Sequence, residues 1–182
     1  MQSVNSGELL SKLEKKVEKH IAEAVGIFQQ LTEEDLNRQA PNGGWSIAQC
    51  LEHLNTYGDY YFPRIEKALT EFEGKPSVNF SSSWLGNYFT KMMDPETGKS
   101  KMKAFKSHVP ASALNGHAVI ARFIKQQETL IQLLKLAKQK DINKIKIPIS
   151  LTRLIRMKLG DTFRFIIAHN ERHFKQAKRL LI

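Results

Sequence analysis

The sequence is poor in cysteine. Cys50 is the one thiol in 182 residues, which excludes an internal disulfide framework and fits a reducing, cytoplasmic setting. Long apolar runs are missing too. Stretches such as Phe165–Ala168 fall far short of the roughly 20 residues a helix needs to cross a bilayer. The segment from Met1 to Glu8 has no apolar region behind a basic start, which argues against secretion. There is no glycine-rich phosphate loop, aromatic RNA-binding motif or zinc-finger spacing, so the usual nucleotide and nucleic-acid signatures are excluded. Internal repeats and low-complexity segments are likewise wanting.

What is present is ordinary for a globular protein: 41% hydrophobic and 25% charged residues, at a length that suits one domain over residues 1–182. The formal charge of +10 is unevenly spread. Residues 1–134 hold 15 Lys/Arg and 15 Asp/Glu, whereas residues 135–182 hold 13 Lys/Arg against Asp141, Asp161 and Glu171. Such a segment is either a solvated helix surface or a face that steers phosphates, anionic substrates or membrane surfaces. No motif accompanies the charge, so nucleic acid is not a favoured partner.

Apolar periodicity predicts helices. Leu10, Leu13, Val17, Ile21, Ala24, Phe28 and Leu31 recur at spacings of three and four, which predicts a first helix over about residues 7–31. Thr32 followed by Glu33, Glu34 and Asp35 reads as an N-cap with an acidic first turn, and Pro41-Asn42-Gly43-Gly44 as a turn. Ser46 and Gln49 have capping-box spacing and open a second long helix. Its buried face is supplied by Ile47, Leu51, Leu54, Tyr61, Phe62, Ile65, Leu69 and Phe72, with Pro63 as a point of kinking. Residues 74–113 make a long crossover with a short amphipathic helix over residues 83–89 and a turn at residues 94–98. A third helix is predicted over residues 116–140. Ile142, Ile145, Ile147 and Ile149 suggest a short extended segment, residues 151–159 a brief helix, and a last helix capped by Asp161 or Thr162 runs almost to Ile182. The prediction is an all-α four-helix bundle with a long crossover between the second and third helices.

His169 and His173 are four residues apart on the last helix. That spacing puts both imidazoles on one face, about one turn apart, where they can reach one ion; core or surface placement is the alternative. His53 is the candidate third ligand, off the centre of its helix's apolar face beside Gln49, Tyr57 and Tyr60, and periodicity leaves open whether it faces solvent or a cleft. Asn170 falls near the middle of the last apolar stripe and needs a hydrogen-bond partner if buried. Gln49 is divided between capping and the site, while Tyr57 and Tyr60 are candidates to line a pocket. His20 and His117 lie at stripe edges, His108 beside Val109-Pro110 in the crossover could approach the site but carries no distinguishing signal, and Cys50 reads as a small buried hydrophobe. No carboxylate stands out as a general base.

The stretch Gly44-Trp45-Ser46-Ile47-Ala48-Gln49-Cys50-Leu51-Glu52-His53-Leu54 resembles the second-helix signature of the DinB-like superfamily. The closing stretch, from Gly160-Asp161-Thr162-Phe163 to His169-Asn170-Glu171-Arg172-His173-Phe174-Lys175-Gln176, is similar to that family's last helix. Helix order, the long crossover and the Pro110-led approach to the third helix match as well. The resemblance implies a DinB-like bundle in which His53, His169 and His173 hold a divalent transition metal, commonly nickel or zinc, with positions left open to water. It also implies kinship with transferases that use low-molecular-weight thiols such as bacillithiol. An open three-imidazole site is of the catalytic kind and generates a nucleophile near neutral pH. Three readings follow. One is a metal-dependent hydrolase or thiol transferase acting on a small molecule. Another is a non-enzymatic metal-binding or stress-associated module, a homodimer through a bundle face among its forms. The third, less favoured, is a basic protein that binds nucleic acid or a membrane surface.

Overall fold

A computed structural model describes residues 3–41, 43–96 and 104–181, the side chain of Arg153 excepted. Asn42 of the expected first turn, and Thr97 and Gly98 of the turn after Asp94, lie outside the described residues.

The chain opens with β1 (Ser3–Asn5) and α1 (Ser6–Gly26), continues through a 3-10 turn at Phe28–Gln30 and α2 (Glu33–Asn37), and enters α3 (Ile47–Glu71). The crossover contains β2 (Asn79–Ser81), α4 (Trp84–Met93) and a 3-10 turn at Lys106–His108. Then come α5 (Gly116–Ala137), the hairpin strands β3 (Lys146–Ile149) and β4 (Thr152–Lys158), and α6 (Leu159–Lys178). The helices α1, α3, α5 and α6 form a four-helix bundle in which α5 and α6 each pack against both α1 and α3. The expected bundle and crossover are both found.

Local chemistry explains the helix starts. The Ser46 hydroxyl accepts the Gln49 amide at 3.2 Å while Gln49 Oε1 accepts the Ser46 amide at 3.0 Å, completing the capping box. Thr32, Ser83 and Asn115 cap α2, α4 and α5 in the same side-chain-to-amide manner. The Glu33 carboxylate accepts the amides of Gly116 and His117 at 2.8 and 2.9 Å. These amides, His117 first, hold the Glu33 carboxyl below its usual range. The helix α3 runs unbroken through Pro63.

Four boundaries differ from expectation. The first helix ends at Gly26, where the chain tightens into the 3-10 turn, and α5 stops at Ala137 before three turn residues. The larger correction is at residues 151–159, of which Thr152–Lys158 form strand β4 and not a helix. Leu151, Leu154 and Ile155 have helical spacing, but all three are exposed, and Met157 is the side chain that enters the core opposite Ile147. Pairing with β3 overrides the local period. The last helix accordingly begins at Leu159, with Lys158 at the cap position.

Asp161, in the first turn of α6, is fully buried and binds the crossover to the bundle. Its carboxylate accepts the Ser82 hydroxyl at 2.5 Å, the Ser83 amide at 2.9 Å and the Ser83 hydroxyl at 2.8 Å, and it pairs with Arg164 at 3.3 Å. Gly86 makes this approach possible, because a Cβ there would sit 2.0 Å from Asp161 Cγ.

The core falls into two apolar clusters. One includes Val17, Tyr57, Leu130 and Ala168; the other includes Ala24, Leu54, Phe123 and Phe174. At the levels between them each long helix contributes buried polar side chains: His20 from α1, His53 and Asn55 from α3, Gln127 from α5, and His169, Asn170 and His173 from α6. A polar layer therefore crosses the bundle between two hydrophobic halves.

Asp161→Ala is expected to lower the unfolding free energy by on the order of 3 kcal/mol, since it strands a partly buried guanidinium and two crossover serines. Urea denaturation followed by circular dichroism checks this; an unchanged midpoint would show that Asp161 does not anchor the crossover.

Candidate metal centre

Seven positions after the Ser46 cap, in the second turn of α3, His53 projects inward and is 3% exposed. His169 and His173 project toward it from successive turns of α6, at 3% and 8% exposure. The Nε2 atom of His169 lies 3.2 Å from Nε2 of His53 and 3.1 Å from Nε2 of His173. Ligand atoms of all three lie within 4.8 Å of one another. Four-coordinate zinc with Zn–N bonds of about 2.0–2.1 Å spans N···N edges of roughly 3.3 Å, so these separations fit the edges of one coordination shell.

The tautomers follow from the partners. His53 Nδ1 lies 2.6 Å from the backbone carbonyl of His108. A carbonyl cannot donate, so Nδ1 carries the proton and Nε2 presents its lone pair to the cluster. The His108 ring is held in turn by Thr56, whose hydroxyl donates to the His53 carbonyl at 2.7 Å and accepts His108 Nδ1 at 2.8 Å. The Nδ1 of His173 is buried without a hydrogen-bond partner. Gln176 lies close enough to oppose the fall in its pKa slightly, but not in hydrogen-bonding geometry. The three Nε2 atoms meet at 3.1–3.2 Å; a proton on one of them cannot satisfy all three, whereas a cation at their centre would take a lone pair from each.

Aromatic rings complete the walls. Trp45 lies 4.7 Å from the His53 ring and stacks on His173 at 5.8 Å. Tyr57 packs at 4.2 Å on His108 and 4.5 Å on His169, and Phe165 stacks on His169 at 5.8 Å. Beyond the imidazoles a cavity of about 600 Å³ opens between α3, α4, α6, the crossover and the β3–β4 turn. Its walls are mostly apolar, including Phe89, Met93 and Met157; Arg172, Gln176 and Ser150 are polar exceptions.

The other sequence candidates separate clearly. Tyr57 lines the cavity. Asn170 is turned to α5, where its amide donates to Gln127 Oε1 at 2.9 Å. Gln49 is occupied by the cap and by the Ala111 carbonyl, to which its Nε2 donates at 2.9 Å. Tyr60 donates to the Ile149 carbonyl at 2.9 Å and carries the Arg64 guanidinium over its ring. Asn170, Gln49 and Tyr60 are thus not drawn into the site. Sequence reasoning left His108 as a residue that could approach the site with nothing to mark it, because it comes from a crossover 55 residues from His53 and has no periodicity. Cys50 is buried, and burial pushes its thiol up to about 12, which disqualifies it as a nucleophile at neutral pH.

Burial keeps the imidazoles neutral. It lowers His53 to about 4, against the opposing pull of the His108 carbonyl, and lowers His173 to about 3 with help from His53 and Arg172. His169 is driven well below its ordinary value by burial first, then by His173, His53 and Arg172. His20, stacked 5.0 Å from Phe174, is lowered to about 3 by burial and neighbouring lysines. Above pH 6.5 neither the folded nor the unfolded chain protonates these groups. Below it the unfolded chain takes up protons that the folded chain refuses until about pH 4 or lower. Metal-free protein should therefore lose stability as pH falls from 6.5 toward 4, by up to about 1.4 kcal/mol per pH unit for each group. Urea midpoints of chelator-treated protein at pH 7.5 and 5 test this; equal midpoints would contradict neutral burial.

A profile of the DinB superfamily matches residues 16–177. Among solved structures, the chain is similar to YfiT from Bacillus subtilis, described as "a probable metal-dependent hydrolase with an unusual four-helix bundle topology". The superposition has a TM-score of 0.54 at 18% identity and covers 96% of this chain and 85% of that one. No curated protein matches the sequence. With the profile spanning both histidine-bearing helices and the crossover between them, the chain belongs to the DinB superfamily.

Proposed function

We propose that the protein is a metal-dependent enzyme of small-molecule hydrolysis or thiol transfer, with His53, His169 and His173 as the ligands of a zinc- or nickel-class ion. The observation that carries this reading is the convergence of three buried Nε2 atoms at one end of a 600 Å³ cavity. Three imidazoles leave coordination positions open, and imidazole suits either metal. When bound, such an ion supplies Lewis acidity and lowers the pKa of a water or thiol that reaches it.

The chain's own residues do the rest. The His108 carbonyl orients His53, and the Thr56 hydroxyl ties that carbonyl's residue back to α3. The phenol of Tyr57, pushed up to about 12 by burial, keeps its proton and can donate but not abstract one. Trp45 and Phe165 exclude water from the flanks of the imidazoles and hold the local dielectric low, which strengthens electrostatics at the centre. No carboxylate is among the described residues that line the cavity, so the reading assigns no carboxylate base. A cavity of this size is typical of small-molecule sites and favours an enzyme over a metal-binding module.

Elemental analysis of tag-free protein should find about one equivalent of zinc or nickel, retained through desalting, and near-complete loss in His53→Ala and His173→Ala. Wild type that stays empty when offered either metal would overturn the ligand assignment. Metal-loaded protein should then turn over in a screen of thiol-transfer, ester and amide substrates; full occupancy with no turnover would leave a metal-binding module as the better account.

A further inference from the structure

Exposed apolar side chains gather at the β3–β4 hairpin and its neighbours. The ladder pairs Pro148 with Arg156 and Ile149 with Thr152, which leaves residues 153–155 bulging from β4 with no counterpart on β3. Leu154, in that bulge, is 94% exposed, and Leu151 and Ile155 beside it are also exposed. A lone exposed leucine needs no explanation, but three aliphatic side chains within residues 151–155 make a patch.

The patch adjoins the large cavity. Leu151 belongs to the cavity wall, together with Phe105 and Val109 of the crossover, and all three are about half exposed, so they form its mouth. On α4, Trp84 is 72% exposed and stacks 5.9 Å from the exposed ring of Tyr88. Tyr88 in turn packs 5.6 Å from Phe89, which lines the cavity.

Charge on these elements has one sign. Residues 84–93, 105–110 and 142–160 contain no Asp or Glu. Lys91, Lys106, Lys146 and Arg156 are exposed on them, and none of the four enters an ion pair among the described residues. The cations that face α1 differ, since Lys138 and Lys178 are paired with Glu14 and Glu23.

We propose that this face seats the protein on an anionic lipid surface. Leu154 and Ile155 enter the boundary between headgroups and acyl chains, where apolar area is buried. Trp84 and Tyr88 sit at headgroup level, the place that indole and phenol rings prefer. The four unpaired cations meet the lipid phosphates, and each adds attraction to the surface. Like charge argues against a second copy as the occupant. A two-fold contact through this face would set Lys146 and Arg156 against their own images with no carboxylate to offset them. Binding to phosphates alone, as on a nucleic acid, would leave the aliphatic bulge in water. Docking also turns the mouth formed by Leu151, Phe105 and Val109 toward the lipid, so an apolar molecule dissolved there would reach the cavity without crossing water. This role is separate from the metal chemistry and does not depend on it.

Flotation of metal-free protein with lipid vesicles tests the proposal. The protein should bind vesicles of equal parts phosphatidylglycerol and phosphatidylcholine at least about tenfold more tightly than vesicles of phosphatidylcholine alone. Sodium chloride at about 0.5 M should weaken the anionic binding to a similar degree. Leu154→Ser/Ile155→Ser should lower affinity for the anionic vesicles about tenfold by removing apolar area, and Lys146→Gln/Arg156→Gln should do so by removing charge. All four positions are exposed, and circular dichroism of each variant confirms its fold. No flotation, equal binding to the two kinds of vesicle, or anionic binding that survives the Leu154 and Ile155 substitutions overturns the proposal. So does a wild-type dimer in sedimentation equilibrium that the same substitutions convert to monomer, because a second copy would then cover the face. Zinc uptake reports on the histidine ligands alone, so the two readings fail separately.

Discussion

The structure depends on keeping three neutral imidazoles inside a helical bundle. A buried imidazole has two nitrogens to satisfy, and leaving either without a partner costs about 1–3 kcal/mol. The chain provides for His53 with the carbonyl of His108, and directs the Nε2 atoms of all three histidines at one another. A cluster of lone pairs of this kind adds nothing to stability by itself. It has to be imposed by the apolar clusters above and below it, which pack α3 and α6 in the register that brings His53 to His169 and His173.

The crossover between α3 and α5 makes the rest of the site possible. It leaves α3, adds a β-ladder to the N-terminus and lays α4 along α6. It then delivers the His108 carbonyl to His53 before starting α5. Each step is fixed by a polar anchor: Asp161 holds Ser82 and Ser83, Gln49 holds Ala111, and Glu33 caps α5. The crossover thus serves both as a structural strap and as the supplier of the hydrogen bond that orients one histidine. Metal-ligating histidines are commonly oriented in this way by a carbonyl on the other nitrogen.

Charge illustrates how sequence distribution and spatial distribution diverge. The segregation of basic residues into the last 48 positions suggests a single positive face. In the bundle α5 and α6 both lie beside α1, whose Glu14 and Glu23 draw Lys138 and Lys178 into ion pairs. The crossover takes a share as well, with Glu96 paired to Lys175 and the Met92 carbonyl accepting from Arg172.

The sequence by itself determined the helices, because apolar residues at spacings of three and four and side-chain caps are local properties. The Ser46–Gln49 box, the acidic start of α2 and the pairing of His169 with His173 on one face could all be read without coordinates. The triad was suggested by the two histidine-bearing motifs together. Only tertiary structure decided where pairing or distance matters. Residues 152–158 became a strand because β3 lay ready to pair with them, although Leu151, Leu154 and Ile155 have a helix's spacing. Asn170 turned to Gln127 across the bundle, and His108 entered the site from 55 residues away. Hydrogen bonds across such separations are set by packing of whole elements, and no local pattern in the chain encodes them.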